Sequence, residues 1–445
     1  MAEDAARRVF TERPTRREDQ LRPYDVLIYG GEVLDPSQGL RGRRDVAFAY
    51  GRVAAVVDPG SIDPGAARIV IDASGKLVTP GLVDLHTHVY VGGSELVIPA
   101  DEVCSVSGCT TVVDAGTAGA NTMLGLYRLA QREIRTRVYA FVHISGIGLA
   151  GHPHGESRDL TYLEPELAAR SVLTYPGFVL GVKVRQTRNL VGENGLEPLR
   201  RAVQAAEIAQ RVIDEASSAR AARNAEGSPG QPARSARSDR SVRVMVHYGS
   251  APAPIGELLG LLRPGDVATH CFNGGTEGVL DAAGNVERGV WAARERGVQF
   301  DVGHGRGSFS YRVAKAAFDQ GFWPDTISTD LHSGSVNYPV VDMPTTMSKW
   351  LDIGMPLEEV VKRSTVAPAE FINQALPAHD REPLLGTLQV GAPGDAAVFD
   401  LQRGDFEYAD STGYHWRGGQ RLVPLHTILH GRPWGRPYAH PYLMP

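Results

Sequence analysis

His86 and His88 close an apolar run, Leu82-Val-Asp-Leu-His-Thr-His88, entered through Pro80-Gly81. Successive side chains of a strand point to opposite faces, so positions 86 and 88 present both imidazoles on one side. Two imidazoles so spaced can hold one metal ion from one wall of a cavity. A lone His-x-His also occurs as core or surface structure, and here the strand context gives the metal reading its weight. Further polar groups end other apolar runs: Lys183 in Phe178-Val-Leu-Gly-Val-Lys183, His247 in Val242-Arg-Val-Met-Val-His247, His270 in Asp266-Val-Ala-Thr-His270, and Asp330 in Thr326-Ile-Ser-Thr-Asp330. Singly, a strand-end histidine is more often hydrogen-bonded structure, and a strand-end aspartate can cap the next helix. Together, imidazoles and a carboxylate around one opening are the donor set that a borderline cation such as Zn2+ selects.

Lys183 stands out because the chain has five lysines among its 46 basic residues. An ammonium beside a divalent cation is unfavourable, and burial also penalises its charge. It could pair with a carboxylate, serve as a neutral amine, or take up carbon dioxide. The last turns it into an anionic carbamate able to bridge two metals.

These groups need strand ends that converge. From residue 80, apolar strands alternate with helical stretches, the strands expected near 81–86, 110–114, 138–144, 178–184, 243–248, 266–270, 298–303 and 325–330. The alternation predicts an α/β fold, a parallel (β/α)8 TIM-type barrel over residues 80–375, with its active face at the C-terminal strand ends. Short runs from Asp25-Val-Leu-Ile-Tyr29 to Ile69-Val-Ile71, punctuated by Gly30-Gly31, Gly51-Arg52 and Gly60, predict a small antiparallel sheet. Strand-like stretches at 384–388, 391–400 and 426–429 are expected to return to it, so both chain ends build one small β-sandwich-like domain, 24–79 with 384–431. Residues 217–241, rich in Ala, Arg and Ser, offer no face to bury and are predicted to interrupt the helix before strand five as a flexible insertion. Residues 1–23 read as an N-terminal arm and 432–445, with Pro433, Pro437, Pro441 and Pro445, as an extended tail. Both suit wrapping around a neighbouring subunit in a homo-oligomer.

The bulk figures narrow the partners. A composition 42% hydrophobic and 22% charged, with mean hydropathy −0.19, is that of a soluble globular protein. A net charge of −5 gives no reason to expect nucleic acid or an anionic membrane as partner, which leaves a small-molecule substrate. Cys104, Cys109 and Cys271 are odd in number and lack Cys-x-x-Cys spacing, which argues for a reduced compartment. The charged N-terminus has no apolar signal region, and no run approaches the roughly 18 apolar residues of a membrane helix. A cytoplasmic location is expected.

The motif set, His86-x-His88 after strand one, Lys183 after four, His247 after five, His270 after six and Asp330 after eight, resembles the amidohydrolase superfamily, in its binuclear branch with a carboxylated lysine. The likeness covers nearly the whole chain and implies two divalent metal ions, expected to be Zn2+, with N6-carboxylysine at Lys183. By that resemblance His86, His88, Lys183 and Asp330 bind one metal, while Lys183, His247 and His270 bind the other. Thr110-Thr-Val-Val-Asp-Ala-Gly116, Gly181-Val-Lys-Val-Arg185, Asp301-Val-Gly-His-Gly305 and Ile327-Ser-Thr-Asp-Leu-His332 are most similar to the amidohydrolase/deacetylase (dihydroorotase-like) group, some of whose members cleave acetyl esters of α-hydroxy acids. Cyclic-ureide and dihydroorotate hydrolases usually follow the His-x-His with a substrate-gripping arginine, whereas Val89-Tyr90 follows here. Nucleoside-type deaminases carry a glutamate where Ser250 stands, and lack the lysine.

The implied chemistry is hydrolysis of an ester or amide bond of a small carboxylate-bearing molecule. A metal-bridging hydroxide attacks a polarised carbonyl, and Asp330 shuttles the proton to the leaving atom. Arg185, two residues past Lys183, is expected either to clamp a substrate carboxylate or to form a structural ion pair. His304 could donate to a leaving group or hold a loop, and Tyr90 could bond the oxyanion or pack at the rim. Asn273 and Gly274 could meet substrate or simply turn the chain. One of His143 and Ser145 is expected to face the pocket, whereas His152 and His154 should lie towards solvent. The competing readings are a cyclic amide or imide hydrolase and a non-catalytic scaffold. Retention of all six metal-site residues counts against the scaffold.

Overall fold

A computed structural model describes residues 22–226 and 238–435. Tyr24–Asp35 (β1), Leu40–Ala49 (β2), Arg52–Val57 (β3), Ala67–Asp72 (β4) and Leu77–Pro80 (β5) open the chain. Seven strands follow: Leu82–Thr87 (β6), Cys109–Gly119 (β7), Arg137–His143 (β8), Val179–Gln186 (β9), Arg243–Tyr248 (β10), Val267–Thr269 (β11) and Gln299–Asp301 (β12). The chain returns through Ala396–Ala409 (β13), His415–Leu429 (β14) and Arg432–Trp434 (β15).

β6 to β12 form one seven-stranded sheet, each strand parallel to its sequence neighbour. Its middle strands alternate cleanly. In β10, Val242 (just before the strand), Val244, Val246 and Tyr248 pack outward into the large apolar core, and Met245 packs inward with Tyr139, Phe141 and Leu180. Burying each such aliphatic side chain contributes about 1.5–3 kcal/mol as an upper estimate. Phe371 and Ile372, on the helix Val366–Ala375, cover the inner cluster. Arg243, at the start of β10, stacks 5.6 Å over the Phe371 ring. The opposite ends of the strands are thereby left to polar side chains.

The predicted eighth strand, 325–330, is not one. Thr326 bridges Asp301 and Leu331 bridges Thr87, both in parallel sense, so the segment lies between the two edge strands without a continuous ladder. Asp330 N–H donates to His86 O (2.7 Å) and His88 N–H to Leu331 O (3.1 Å). Asp330, with a positive φ of 49°, turns the backbone at the end of this segment.

The second sheet has the order β15-β14-β13-β5-β1-β2-β3, with β4 on β1. β13 pairs antiparallel to β5, which joins strands from both chain ends. Residues 384–388 form a turn and irregular chain rather than the expected strand, tied down where Thr387 Oγ1 and Leu388 N–H donate to Asp35 Oδ2 (2.8 and 2.7 Å). The β13–β14 hairpin runs far beyond the stretches expected from composition, because antiparallel pairing satisfies its backbone whatever the side chains. Its tip docks on the loop and helix (Tyr311–Asp319) that follow β12, through Tyr311 N–H to Asp410 Oδ2 (2.8 Å) and Ser411 Oγ to Gly305 O (3.0 Å).

The predicted insertion at 217–241 begins later than expected, and its residues 227–237 lie outside the described residues. The helix Glu197–Glu226 runs on through its first ten residues, since a helix nucleated upstream extends readily through Ala and Arg. Arg240, in the loop leading to β10, is buried and donates to Ala375 O (3.0 Å) and Val179 O (3.1 Å). The arm 1–23 lies outside the described residues save Arg22 and Pro23, and the tail 432–445 save Arg432 to Gly435, of which Arg432–Trp434 forms β15. No helix among the described residues is long and apolar enough to cross a membrane.

Candidate metal centre

The six convergent groups meet at the C-terminal ends of the parallel strands, and most are out of solvent. His86 is 1% exposed, His88 5%, Lys183 1%, His270 0% and Asp330 7%, while His247 is half-buried. His86 Nε2 and His88 Nε2 lie 3.3 and 3.1 Å from Asp330 Oδ1. One ligand atom from each of His86, His270 and Asp330 fits within 4.8 Å of the others. Lys183 Nζ is 3.1 Å from His86 Nε2, and the His247 ring centroid is 4.1 Å from that of His270.

The donors suit a cation. His270 Nδ1 faces the carbonyl of Gly303 (2.5 Å), so that nitrogen carries the hydrogen and Nε2 keeps its lone pair. That Nε2 is buried without a hydrogen-bond partner, a costly arrangement that a metal would relieve. His86 Nδ1 and His88 Nδ1 each meet a threonine hydroxyl, Thr269 Oγ1 and Thr117 Oγ1, at 2.8 Å. Burial, then Lys183, pushes the His86 imidazole well below its usual pKa and keeps it neutral, the ligating form. Burial opposes ionisation of Asp330, but the His86 and His88 imidazoles outweigh it and hold the carboxyl well below the usual range. Burial pulls Lys183 down to about 7. Its Nζ touches His86 and Met245 Sδ (3.4 Å), and no carboxylate lies within 4.0 Å among the described residues.

Glycines make the room. A Cβ at Gly116 would fall 2.6 Å from Lys183 Cβ, and one at Gly303 would fall 2.3 Å from Thr269 Oγ1.

The other expected site residues are drawn into the scaffold. Arg185 forms a fork with Glu156, Nε to Oε1 at 2.6 Å and Nη2 to Oε2 at 3.0 Å, which is the structural ion pair of the two expectations. His304 is fully buried and stacked on Phe309. Its Nε2 accepts from Lys349 Nζ (2.9 Å) and its Nδ1 meets Gly305 O (3.0 Å), which leaves neither nitrogen for a substrate. Tyr90 turns to the helix Met123–Arg132, where a Cβ at Gly125 would lie 2.0 Å from its hydroxyl, so it packs at the rim. Asn273 donates to Tyr248 O and His270 O and accepts from Gly275 N–H, which makes it a turn clamp. Gly274 faces Thr412 and Ser310. His143 Nδ1 accepts from Ser145 N–H (3.0 Å), and its Nε2 lies 3.5 Å from Glu156 Oε1.

Three participants escape a sequence reading. Glu156 sits in a Gly- and Pro-rich loop with no strand to mark it, and Lys349 lies on a helix. His332 lies two residues past Asp330, its ring centroid 6.3 Å from that of His88. His332 closes the stretch Ile327-Ser-Thr-Asp-Leu-His332 that carries the resemblance, but no role is expected of it.

Comparison with known proteins gives the family. The amidohydrolase family profile matches residues 69–136. A deacetylase of Enterococcus faecalis is 31% identical over 92% of this chain and 98% of its own length. A deacetylase of Agrobacterium fabrum is 34% identical over 81% of this chain and 79% of its own. Crystal structures of an adenine deaminase (TM-score 0.77, 31% identity, 93% of this chain and 100% of that one) and a dihydroorotase (0.76, 30%, 94% and 99%) superpose along the chain. The chain is a hydrolase belonging to the amidohydrolase superfamily, in its dihydroorotase-like group.

Proposed function

We propose that the protein is a metal-dependent deacetylase or acylase that cleaves an ester or amide bond of a small, open-chain, carboxylate-bearing substrate. The observation that carries the metal part is Lys183, a buried amine with no carboxylate within 4.0 Å, placed against His86 Nε2 in a ring of imidazoles. A carbamate on Lys183 would give that ring the anionic bridge it lacks. His86, His88, Lys183 and Asp330 would then hold one Zn2+, and Lys183, His247 and His270 the other. In this reading residues 326–331 act as the eighth stave of a (β/α)8 barrel.

Bound divalent cations supply Lewis acidity and lower the pKa of water to near neutrality. The chain supplies the rest. Asp330 Oδ1 lies against the His86 and His88 imidazoles, and Oδ2, 3.9 Å from His270 Nε2, would take a proton and pass it to the leaving oxygen or nitrogen. Gly305 keeps that oxygen accessible, since a Cβ there would stand 2.5 Å from it.

The open-chain choice rests on the residues after His88. Val89 is fully buried and Tyr90 turns away to Gly125, so this stretch offers no cationic grip of the kind cyclic-ureide hydrolases carry. The test is metal content per chain, electron density at Lys183, and a screen of N-acetyl and O-acetyl acids beside dihydroorotate and hydantoins. Two metals and acetate release are expected, with Asp330→Asn folded but inactive. Ring opening without acetate release would overturn the open-chain reading.

A further inference from the structure

Behind the metal centre lies a buried chain of polar groups that the hydrolytic chemistry does not itself use. Asp301, Thr269 and His86 are each at most 1% exposed. Thr269 Oγ1 is 2.7 Å from Asp301 Oδ2 and 2.8 Å from His86 Nδ1. Asp301 also accepts from Ser328 Oγ at Oδ2 (2.7 Å) and from Thr326 Oγ1 at Oδ1 (2.6 Å). Burial pushes the Asp301 carboxyl upward, and these three hydroxyl donors and Lys183 oppose it.

An ionised carboxylate can only accept, and a threonine hydroxyl has one hydrogen to give. With that hydrogen committed to Asp301, Thr269 Oγ1 meets His86 as an acceptor, so the hydrogen between them belongs to His86 Nδ1. The lone pair of His86 then sits on Nε2, 3.1 Å from Lys183 Nζ and 3.3 Å from Asp330 Oδ1. Asp301 does not reach His86 directly, because Nδ1 and Oδ2 are 3.9 Å apart, so the hydroxyl is the necessary intermediary. A Cβ at Gly303 would lie 2.3 Å from Thr269 Oγ1 and 3.1 Å from His86 Nδ1, so the glycine lets the backbone close over the junction. Through Thr326 and Ser328 the same carboxylate anchors the segment that carries Asp330.

We propose that Asp301, acting through the Thr269 hydroxyl, is a positioning residue that locks His86 in its metal-ligating tautomer. The proposal rests on the metal-centre reading above. It differs from a packing role because polarity matters: in Asp301→Asn the amide can donate to Thr269, which frees the hydroxyl to donate to His86 Nδ1. His86 would then carry its hydrogen on Nε2, where it cannot ligate.

The experiment is an equilibrium Co2+ titration of the full chain after metal stripping, followed by its visible absorption spectrum, with melting curves of the metal-free proteins as the control for folding. Thr269→Val, nearly the same shape without the hydroxyl, and Asp301→Asn are expected to weaken Co2+ binding by about 10–100-fold, and Thr269→Ser by no more than about threefold. Parental affinity and spectrum in Thr269→Val would overturn the relay, as would Thr269→Ser binding as weakly as Thr269→Val. Should Asp301→Asn fail to fold, the two Thr269 variants decide alone. Failure of the parental protein to bind Co2+ would remove the metal centre and the relay together, whereas parental binding with an unaffected Thr269→Val removes the relay only.

Discussion

Replacing Glu156 by Gln keeps the side-chain shape and deletes one buried charge. Glu156 is 0% exposed and its fork with Arg185 uses both oxygens, while Arg185 retains 11% exposure at the mouth. Removing one partner of a buried pair costs about 3–5 kcal/mol, because the other charge is left without compensation. The residual exposure of Arg185 allows partial rehydration and places the expected loss near the lower end, about 3 kcal/mol. An amide also turns a donor group towards the guanidinium, so one of the two bonds becomes a repulsion. The pH dependence gives a second readout. Burial opposes ionisation of Glu156, but Arg185 and then His143 hold its pKa well below the ordinary 4.5. A carboxyl with a depressed folded pKa contributes stability that is complete above its unfolded value and is lost as pH falls. The gap between parent and Glu156→Gln, measured by urea denaturation, should therefore be flat above about pH 5 and narrow below about pH 4.5. A gap under about 1 kcal/mol at pH 7, or one that widens on acidification, would refute the buried-pair account.

Tyr90→Phe should leave turnover unchanged to within about twofold, since its hydroxyl faces a helix glycine rather than the metal centre; a loss of tenfold or more in kcat would restore the oxyanion role. Lys349→Met strips the donor from three buried acceptors, His304 Nε2, Pro339 O and Ala409 O, and should cost about 3–5 kcal/mol in chemical denaturation. A loss under about 1 kcal/mol would show that the lysine does not tie the hairpin to the sheet.

How far the sequence could be read depends on what it encodes locally. The apolar runs before His86, Lys183 and His247 mark strands because burial on both faces demands them, and a strand end fixes where a Cα goes. It does not fix where a long side chain turns. His304 and Tyr90 lie three residues past the ends of β12 and β6. Their directions are set by Lys349, 45 residues away, and by the space over Gly125, neither of which leaves a trace in the neighbouring sequence. The same limit hid Glu156, whose loop looks like any Gly- and Pro-rich connection until Arg185 draws it in. Residues 217–226 failed for the opposite reason. Their composition lacks an apolar face, yet Ala and Arg are good helix formers and the preceding turns had already met the cost of nucleation.

The turns that end β11 and the 325–330 segment are conformations that no apolar pattern announces. His270 (φ 67°) and Asp330 (φ 49°), both candidate metal-site residues, occupy the left-handed region that side chains with a Cβ rarely adopt. Each such residue costs about 1–3 kcal/mol and persists only where its surroundings over-determine it. Glycine would remove that cost and also the ligand, so the strain must be offset by neighbours. At His270, the Asn273 side chain and backbone both donate to the carbonyl, at 2.9 and 3.1 Å. At Asp330, its N–H donates to His86 O, and the hydroxyls of Thr326 and Ser328 anchor the approach to Asp301. Asn273, expected at the substrate, is thus better understood as part of what holds His270 in place. Asp301, whose motif carried no assigned role, ties down the segment that carries Asp330. The glycines at 303 and 305 complete the arrangement, since each places backbone where a side chain would collide with a site residue. A strained turn re-aims a side chain away from the strand pleat, and that lets candidate ligands from separate strands meet at one point rather than stand in parallel rows.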